Sequence, residues 1–193
     1  MLKYLKYFLP SITAIAFIKV ILMGEWYPTV FLINFSLLLI FGDLIMPRDT
    51  KIQNFSYPSI LNLSLYINLP ILLTLVLLTV SLLSYGTSLF YINQINLLLN
   101  INFIEIKNSF NLIDKVSLII QTCLLMGTMG VVPGHELTHR VKNKFDMFIG
   151  NWLLAFSCDC TFAIEHVYGH HRNACFPEDP ASAKKGENIY LFI

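Results

Sequence analysis

Charged side chains are scarce in this sequence. Thirteen Lys and Arg and twelve Asp and Glu make up 13% of 193 residues, whereas a soluble domain carries about 25%. The net charge is only +1, which excludes the basic surface that a nucleic-acid partner requires. The four cysteines form no CxxC pair and are too few for a disulfide scaffold. A soluble globule, a disulfide-rich domain and a nucleic-acid-binding protein are therefore all excluded.

Apolar residues make up 55% of the chain, and the mean hydropathy is +0.63. A helix that crosses the hydrocarbon core of a bilayer needs about 17 to 25 mostly apolar residues. Four runs satisfy this requirement: 7–23, 28–46, 59–83 and 112–132. The sequence predicts an all-α integral membrane protein with about four transmembrane helices, which form a single membrane domain over residues 1–193.

The distribution of basic residues predicts the orientation of these spans. With the N-terminus inside and four crossings, ten of the thirteen Lys and Arg residues fall on the cytoplasmic side, among them Arg48 and Lys51. Only Lys19, Lys107 and Lys115 fall on the other side. We therefore expect the N-terminus and everything after residue 132 to face the cytoplasm.

All five histidines lie between residues 135 and 171. His135 and His139 are spaced i, i+4, which places them on one face of a helix that continues the fourth span. His166 and His170 repeat that spacing, and His171 follows directly. Ionisable residues at a membrane boundary are usually functional, and imidazole binds zinc, iron, copper and nickel. A zinc protease with Glu136 as general base needs only three protein ligands, so the surplus of histidines favours a dinuclear centre.

The apolar segment 145–164 separates the two histidine boxes, 135–139 and 166–171. As one straight helix it would hold the boxes about 30 Å apart, which is too far for a shared site. The segment must instead fold back along or into the cytoplasmic leaflet, as an interfacial or re-entrant helical piece. The predicted breaks are at Gly150-Asn151 or at 157–160.

Three segments carry a family resemblance: His-Glu-Leu-Thr-His-Arg at 135–140, Glu-His-Val-Tyr-Gly-His-His at 165–171, and Pro-Glu-Asp-Pro-Ala-Ser at 177–182. They resemble the membrane-bound alkane monooxygenases, the branch that contains xylene monooxygenase within the fatty-acid desaturase and hydroxylase superfamily. The resemblance is specific over residues 134–190. Three residues separate His166 from His170, and this spacing favours the hydroxylase branch over the acyl desaturases.

The resemblance implies a bacterial inner-membrane enzyme with two non-haem irons at its cytoplasmic face. Such an enzyme uses O₂ to hydroxylate a terminal carbon of an alkane or another apolar substrate, with electrons from a rubredoxin or ferredoxin and its reductase. The ligands carried over are His135, His139, His166, His170 and His171. Glu136 and Glu165 are expected either to orient a ligand imidazole or simply to solvate a helix end.

The family also has a third histidine box and a later Asn-Tyr-x-Glu-His-Tyr segment, and neither occurs before residue 193. We therefore expect the chain to be an N-terminal portion that is inactive alone. Two alternatives stay open: an integral-membrane zinc metalloprotease of the HExxH type, and an inactive membrane fragment.

Overall fold

The computed structural model describes residues 2–47, 53–86, 88–179 and 181–192. Within these ranges every regular element is a helix. Four helical segments are long and apolar enough to cross a membrane: Lys3–Ile21, Tyr27–Ile45, Pro58–Leu83 and Leu112–Thr138. The prediction of a multi-pass, all-α membrane protein is confirmed. Arg48 and Lys51, which entered the charge count, lie outside the described residues.

Several spans are built from more than one helical piece. In chain order, the helical elements are Leu2–Leu5, the 3₁₀ turn Lys6–Phe8, Leu9–Ile21, Tyr27–Ile45, Pro58–Tyr66, Asn68–Leu83, Leu89–Leu99, Phe103–Ser109, Leu112–Met126, the π-helix Gly127–Val131, Val132–Thr138, Lys144–Phe156, Phe162–Ile164, the π-helix Glu165–His170, His171–Asn173 and Ile189–Phe192. The first π-helix precedes the first histidine box, and the second π-helix contains all of the second box except His171.

A tight turn joins the first and second spans. Gly24 and Glu25 both have positive φ angles, 75° and 49°, and glycine adopts this conformation without a Cβ penalty. A Cβ atom at Gly24 would lie 2.7 Å from Oγ of Ser109. That hydroxyl instead accepts a hydrogen bond from the backbone N–H of Glu25 at 2.7 Å. The turn is thereby fixed to the segment that precedes the fourth span.

Polar contacts connect the spans inside the bundle. Ser11 of the first span donates to Asn68 of the third at 2.7 Å, and Thr29 of the second donates to Asp114 of the fourth at 2.6 Å. Asp114 also completes a capping box with Asn111 at the start of the fourth span. Buried polar side chains that find such partners hold membrane helices together, so the fourth span has a defined position and direction.

After the fourth span the chain reverses and packs against it. The helix Lys144–Phe156, the fold-back helix, lies antiparallel to the end of the fourth span. Gly130 and Gly134 face it closely, because a Cβ atom on Gly130 would lie 2.8 Å from the carbonyl oxygen of Leu153 and one on Gly134 would lie 2.8 Å from Cγ of Leu154. The segment between the histidine boxes is therefore not a fifth crossing, as expected.

The break in this segment falls at one of its two predicted positions. The fold-back helix ends at Phe156, and the turn that follows contains Cys158 with a positive φ of 63°. Gly150-Asn151, the other predicted break, lies within the unbroken helix. Gly150 serves packing instead, because a Cβ atom there would lie 3.0 Å from Cβ of Leu137. The turn sends the chain back toward the first histidine box.

Candidate metal centre

The first histidine box lies at the end of the fourth span. His135 belongs to the helix Val132–Thr138, and His139 follows directly as its C-cap. The ring centroids of the two histidines are 4.7 Å apart, as their i, i+4 spacing predicts. His135 is half-buried, whereas His139 is exposed. The pair therefore presents two imidazoles on one side of the span, at its membrane boundary.

The second histidine box is π-helical rather than α-helical over Glu165–His170. The wider π turn brings residues i and i+5 together, so that Nε2 of His166 lies 3.0 Å from Nε2 of His171. The ring centroid of His170 is farther from that of His166, at 5.5 Å. The sequence predicted an i, i+4 pairing of His166 with His170. The structure replaces it with an i, i+5 pairing, because a π-helix has more residues in each turn.

The two boxes meet. His166 lies beside both histidines of the first box, with its ring centroid 4.4 Å from that of His135 and 5.3 Å from that of His139. The centroids of His139 and His171 are 4.8 Å apart. The potential ligand atoms of His135, His139 and His166 all lie within 4.8 Å of one another. The fold-back helix thus brings together residues from two distant parts of the sequence, while their role as ligands stays a prediction.

The geometry of this cluster suits a metal ion. Two cis ligands at about 2.1 Å from a metal lie about 3.0 Å apart, which matches the Nε2 separation of His166 and His171. Burial lowers the pKa of His166 to about 4, and repulsion from the neighbouring imidazoles adds to this shift. The ring is therefore neutral at pH 7, the form in which imidazole binds metals.

His170 is oriented by a carboxylate that sequence analysis did not assign to the site. Its Nδ1 donates to Oδ2 of Asp179 at 2.8 Å, and the Asp179 side chain is fully buried. The Ser182 hydroxyl donates to the same carboxylate at 2.5 Å, and the backbone N–H of Ala181 donates at 3.1 Å. The hydrogen bond from Ser182, aided by those from Ala181 and His170, holds the pKa of Asp179 below its usual value against the opposing effect of desolvation. A carboxylate held in this way leaves Nε2 of His170 free to bind a metal.

The two glutamates proposed to assist the ligands lie on the outside of the cluster. Glu136 forms an ion pair with Arg140 at 3.0 Å, and its side chain is 58% exposed. Glu165 is exposed at the first residue of the second π-helix. Among the described residues, neither carboxylate forms a hydrogen bond to a histidine. Their assistance to the ligands stays a prediction.

A polar network with a buried carboxylate connects the end of the first box to neighbouring helices. Asp146 of the fold-back helix is buried and accepts a hydrogen bond from the Tyr66 hydroxyl at 2.5 Å. Arg140 lies 3.5 Å from the same carboxylate and donates to Asn62 of the third span at 2.7 Å. The end of the first box is thereby tied to both the third span and the fold-back helix. Sequence analysis missed this network because its members are far apart in sequence.

The sequence does contain a signal for Asp179. It lies in the Pro-Glu-Asp-Pro-Ala-Ser segment that carried part of the family resemblance, eight residues after His171.

Comparison with known proteins supports the resemblance of the chain to that family. An alkane 1-monooxygenase of Acinetobacter baylyi is 41% identical to this chain over 86 residues, which are 45% of the chain and 20% of that protein. The chain resembles alkane 1-monooxygenases.

Two further relatives support the resemblance. Alkane 1-monooxygenase 1 of Pseudomonas aeruginosa is 36% identical over 81 residues, or 42% of this chain and 21% of the relative. Alkane 1-monooxygenase 1 of Alcanivorax borkumensis is 46% identical over 68 residues, which are 35% of this chain and 17% of the relative. The matched part of the chain spans about a fifth of the length of these relatives. No family model and no solved structure matches the chain.

Proposed function

We propose that the histidine cluster binds two non-haem irons and that the chain takes part in O₂-dependent hydroxylation of an alkane or related apolar substrate within a complete enzyme. The observation that carries the proposal is the convergence of both histidine boxes. The ring centroids of His166 and His135 are 4.4 Å apart, and Nε2 of His166 lies 3.0 Å from Nε2 of His171. Supporting it is the similarity to proteins named alkane 1-monooxygenases.

In this proposal His135, His139, His166, His170 and His171 are the iron ligands supplied by the chain. When bound, iron supplies the one-electron and O₂ chemistry that side chains alone cannot perform. The protein holds the His166 ring neutral and fixes the orientation of the His170 ring. Asp179 keeps the proton on Nδ1 of His170 and so directs Nε2 of that ring outward.

The location of the cluster suits an apolar substrate. The fourth span ends at Thr138, one residue before the second histidine of the first box, so a hydrocarbon dissolved in the bilayer lies near the proposed irons. We propose that this face is the cytoplasmic one of a bacterial inner membrane, in line with the predicted ten-to-three split of basic residues. A rubredoxin or ferredoxin, reduced by its reductase, would deliver electrons there.

A zinc protease of the HExxH type is less well supported. Its mechanism requires the glutamate of the motif to activate a metal-bound water. Here the Glu136 carboxylate is paired with Arg140 at 3.0 Å and is largely exposed. The number of converging imidazoles also exceeds the three ligands that catalytic zinc uses.

The proposed function is tested in two steps. The purified chain in nanodiscs is loaded anaerobically with ⁵⁷Fe(II), and Mössbauer spectroscopy reports whether high-spin iron binds with nitrogen ligands. The segment 134–190 is then transferred into alkane 1-monooxygenase 1 of P. aeruginosa, and octane hydroxylation is measured with a rubredoxin and its reductase. Iron binding and 1-octanol formation support the proposal. A chain that binds one zinc ion and hydrolyses peptides, but binds no iron, would overturn it.

A further inference from the structure

The fold-back helix has an exposed face that the metal centre does not use. Its buried side consists of Asp146, Ile149, Gly150, Leu153 and Leu154. On the opposite side Phe145, Phe148 and Trp152 are each at least half exposed. A soluble surface seldom presents three large aromatic rings along one helix, whereas helices that lie in the membrane interface commonly do.

The depth of this helix follows from its packing. Gly150 packs against Leu137 near the end of the fourth span, and Ser157 donates a hydrogen bond to the carbonyl of Met126, near the middle of that span. The fold-back helix therefore runs from the membrane surface toward the centre of the bilayer. Its exposed aromatic face lies at the depth of one lipid leaflet.

Two lysines lie at the surface end of this face. Lys142 and Lys144 are both exposed, and in the described part of the chain no ion pair involves either of them. Asp146, the acidic residue nearest to them in sequence, is buried on the opposite side of the helix and accepts a hydrogen bond from Tyr66. The Asp146 carboxylate therefore does not neutralise the positive charge of the two lysines.

A mostly apolar cleft of about 340 Å³ lies between the fold-back helix and the segment that follows it. One wall includes Met147, Asn151, Trp152 and Ala155 of the fold-back helix. The other includes Ile164 and Tyr168 of the helical residues 162–173, the second-box segment. At 100° per residue, Ala155 lies on almost the same line along the helix as Lys144. Trp152 is eight residues from Lys144, or about 12 Å deeper along the helix axis. An anionic group at the lysines and a hydrocarbon chain in the cleft fit this arrangement.

We propose that this cleft, with Lys142 and Lys144, binds an anionic phospholipid of the leaflet that contains the histidine cluster. The lysines bind the phosphate, and one acyl chain lies along Trp152 between the fold-back helix and the second-box segment. Basic residues near a membrane surface attract anionic lipids, and the adjacent aromatic face keeps the lysines at the headgroup level. The bound lipid fills the gap between the fold-back helix and the second-box segment, independently of any catalytic activity.

The chain offers a direct test, because its only tryptophans are Trp26 and Trp152. The Trp26→Phe protein, with Trp152 as its sole tryptophan, is placed in nanodiscs of phosphatidylcholine with a minority of phosphatidylglycerol. In one preparation the phosphatidylglycerol carries brominated acyl chains, and in the other an equal fraction of phosphatidylcholine is brominated. We expect brominated phosphatidylglycerol to quench Trp152 more strongly than brominated phosphatidylcholine does. The difference should correspond to about tenfold preferential association of phosphatidylglycerol with the site.

Three controls separate a lipid site from ordinary lipid contact. Lys142→Gln/Lys144→Gln should remove the preference, whereas Lys184→Gln/Lys185→Gln, with the same change in charge at two other exposed lysines, should retain it. The Trp152→Phe protein reports from Trp26, in the hairpin between the first two spans, and should show no preference. If the double glutamine variant does not fold, Lys142→Arg/Lys144→Arg should fold and retain the preference.

Two results would overturn the proposal. Equal quenching of Trp152 by both brominated lipids would mean ordinary contact with the bilayer. No quenching by either lipid would mean that protein, such as a second copy of the chain, covers this face.

Discussion

Nδ1 of His170 donates a hydrogen bond to Oδ2 of Asp179 over 2.8 Å, which joins the second histidine box to the segment that follows it. Asp179 is buried, and Ser182 donates a second hydrogen bond to the same oxygen. The carboxylate therefore has a fixed position before any metal binds. The segment after the second box is part of the candidate metal centre.

Removal of this carboxylate should weaken metal binding. We expect Asp179→Ala to lower the affinity for Co(II), used as a spectroscopic substitute for Fe(II), by about 10- to 100-fold, because His170 loses the partner that orients it. The change is measured by titration of the Co(II) absorption bands in the purified chain. Glu178→Ala removes an exposed carboxylate next in sequence and should leave the affinity unchanged. Equal effects of the two substitutions would contradict the assignment.

Loss of a central histidine should be more severe. His166 is close to each of the other four imidazoles, with ring centroids between 4.4 and 5.5 Å away. His166→Ala should therefore reduce Co(II) affinity by more than the roughly 100-fold limit for an outer partner. Asn173→Ala, a substitution in the same segment, is the control and should bind Co(II) normally. Near-normal affinity in His166→Ala would show that this residue is structural.

The helical spans and the convergence of the boxes could be predicted from the sequence. Apolar length alone predicted four spans, and the observed bounds differ by a few residues at most of their ends. The exception is the fourth span, which continues through the first box to Thr138. The fold-back was predicted because two His pairs 31 residues apart cannot share a site across a straight helix.

The local geometry of the second box could not be predicted in this way. A π-helix has no distinctive residue pattern, so the His166–His171 contact was not expected from an α-helical reading. The pairing of Asp179 with His170 depends on a loop whose path is set by tertiary contacts. The Asp146 network likewise joins residues up to 84 positions apart, Asn62 and Asp146. Spacing rules describe neighbours within one helix and do not reach such pairs.

The Asp146 network should contribute measurably to stability. Asp146→Ala leaves the Tyr66 hydroxyl and the Arg140 guanidinium without their shared acceptor. We expect the free energy of unfolding to fall by about 2 kcal/mol, the usual range for a hydrogen bond to a charged group. Glu136→Ala removes the exposed partner of the same arginine and should cost no more than about 0.5 kcal/mol. Reversible unfolding in mixed detergent micelles measures both, and a larger loss in Glu136→Ala would contradict the network.

Close packing of the fold-back helix can be tested with two glycines of the same π-helix. A Cβ atom at Gly130 would lie 2.8 Å from the carbonyl oxygen of Leu153 and even closer to Oγ of Ser157, whereas one at Gly127 would meet nothing within 4 Å. Alanine favours helix over glycine by about 1 kcal/mol, so Gly127→Ala should be neutral or stabilising.

For Gly130→Ala the clash should outweigh that gain. The Leu153 oxygen belongs to the backbone, so the fold-back helix must move as a whole, and overpacking of this kind costs about 1 to 3 kcal/mol. Because the fold-back helix leads into the second histidine box, its displacement should also separate His166 from His135 and weaken Co(II) binding. Thermal unfolding and Co(II) titration of the two alanine variants measure these effects side by side. If Gly130→Ala proved as stable as Gly127→Ala and bound Co(II) equally well, the close packing of the fold-back helix on the fourth span would not be what holds the two histidine boxes together.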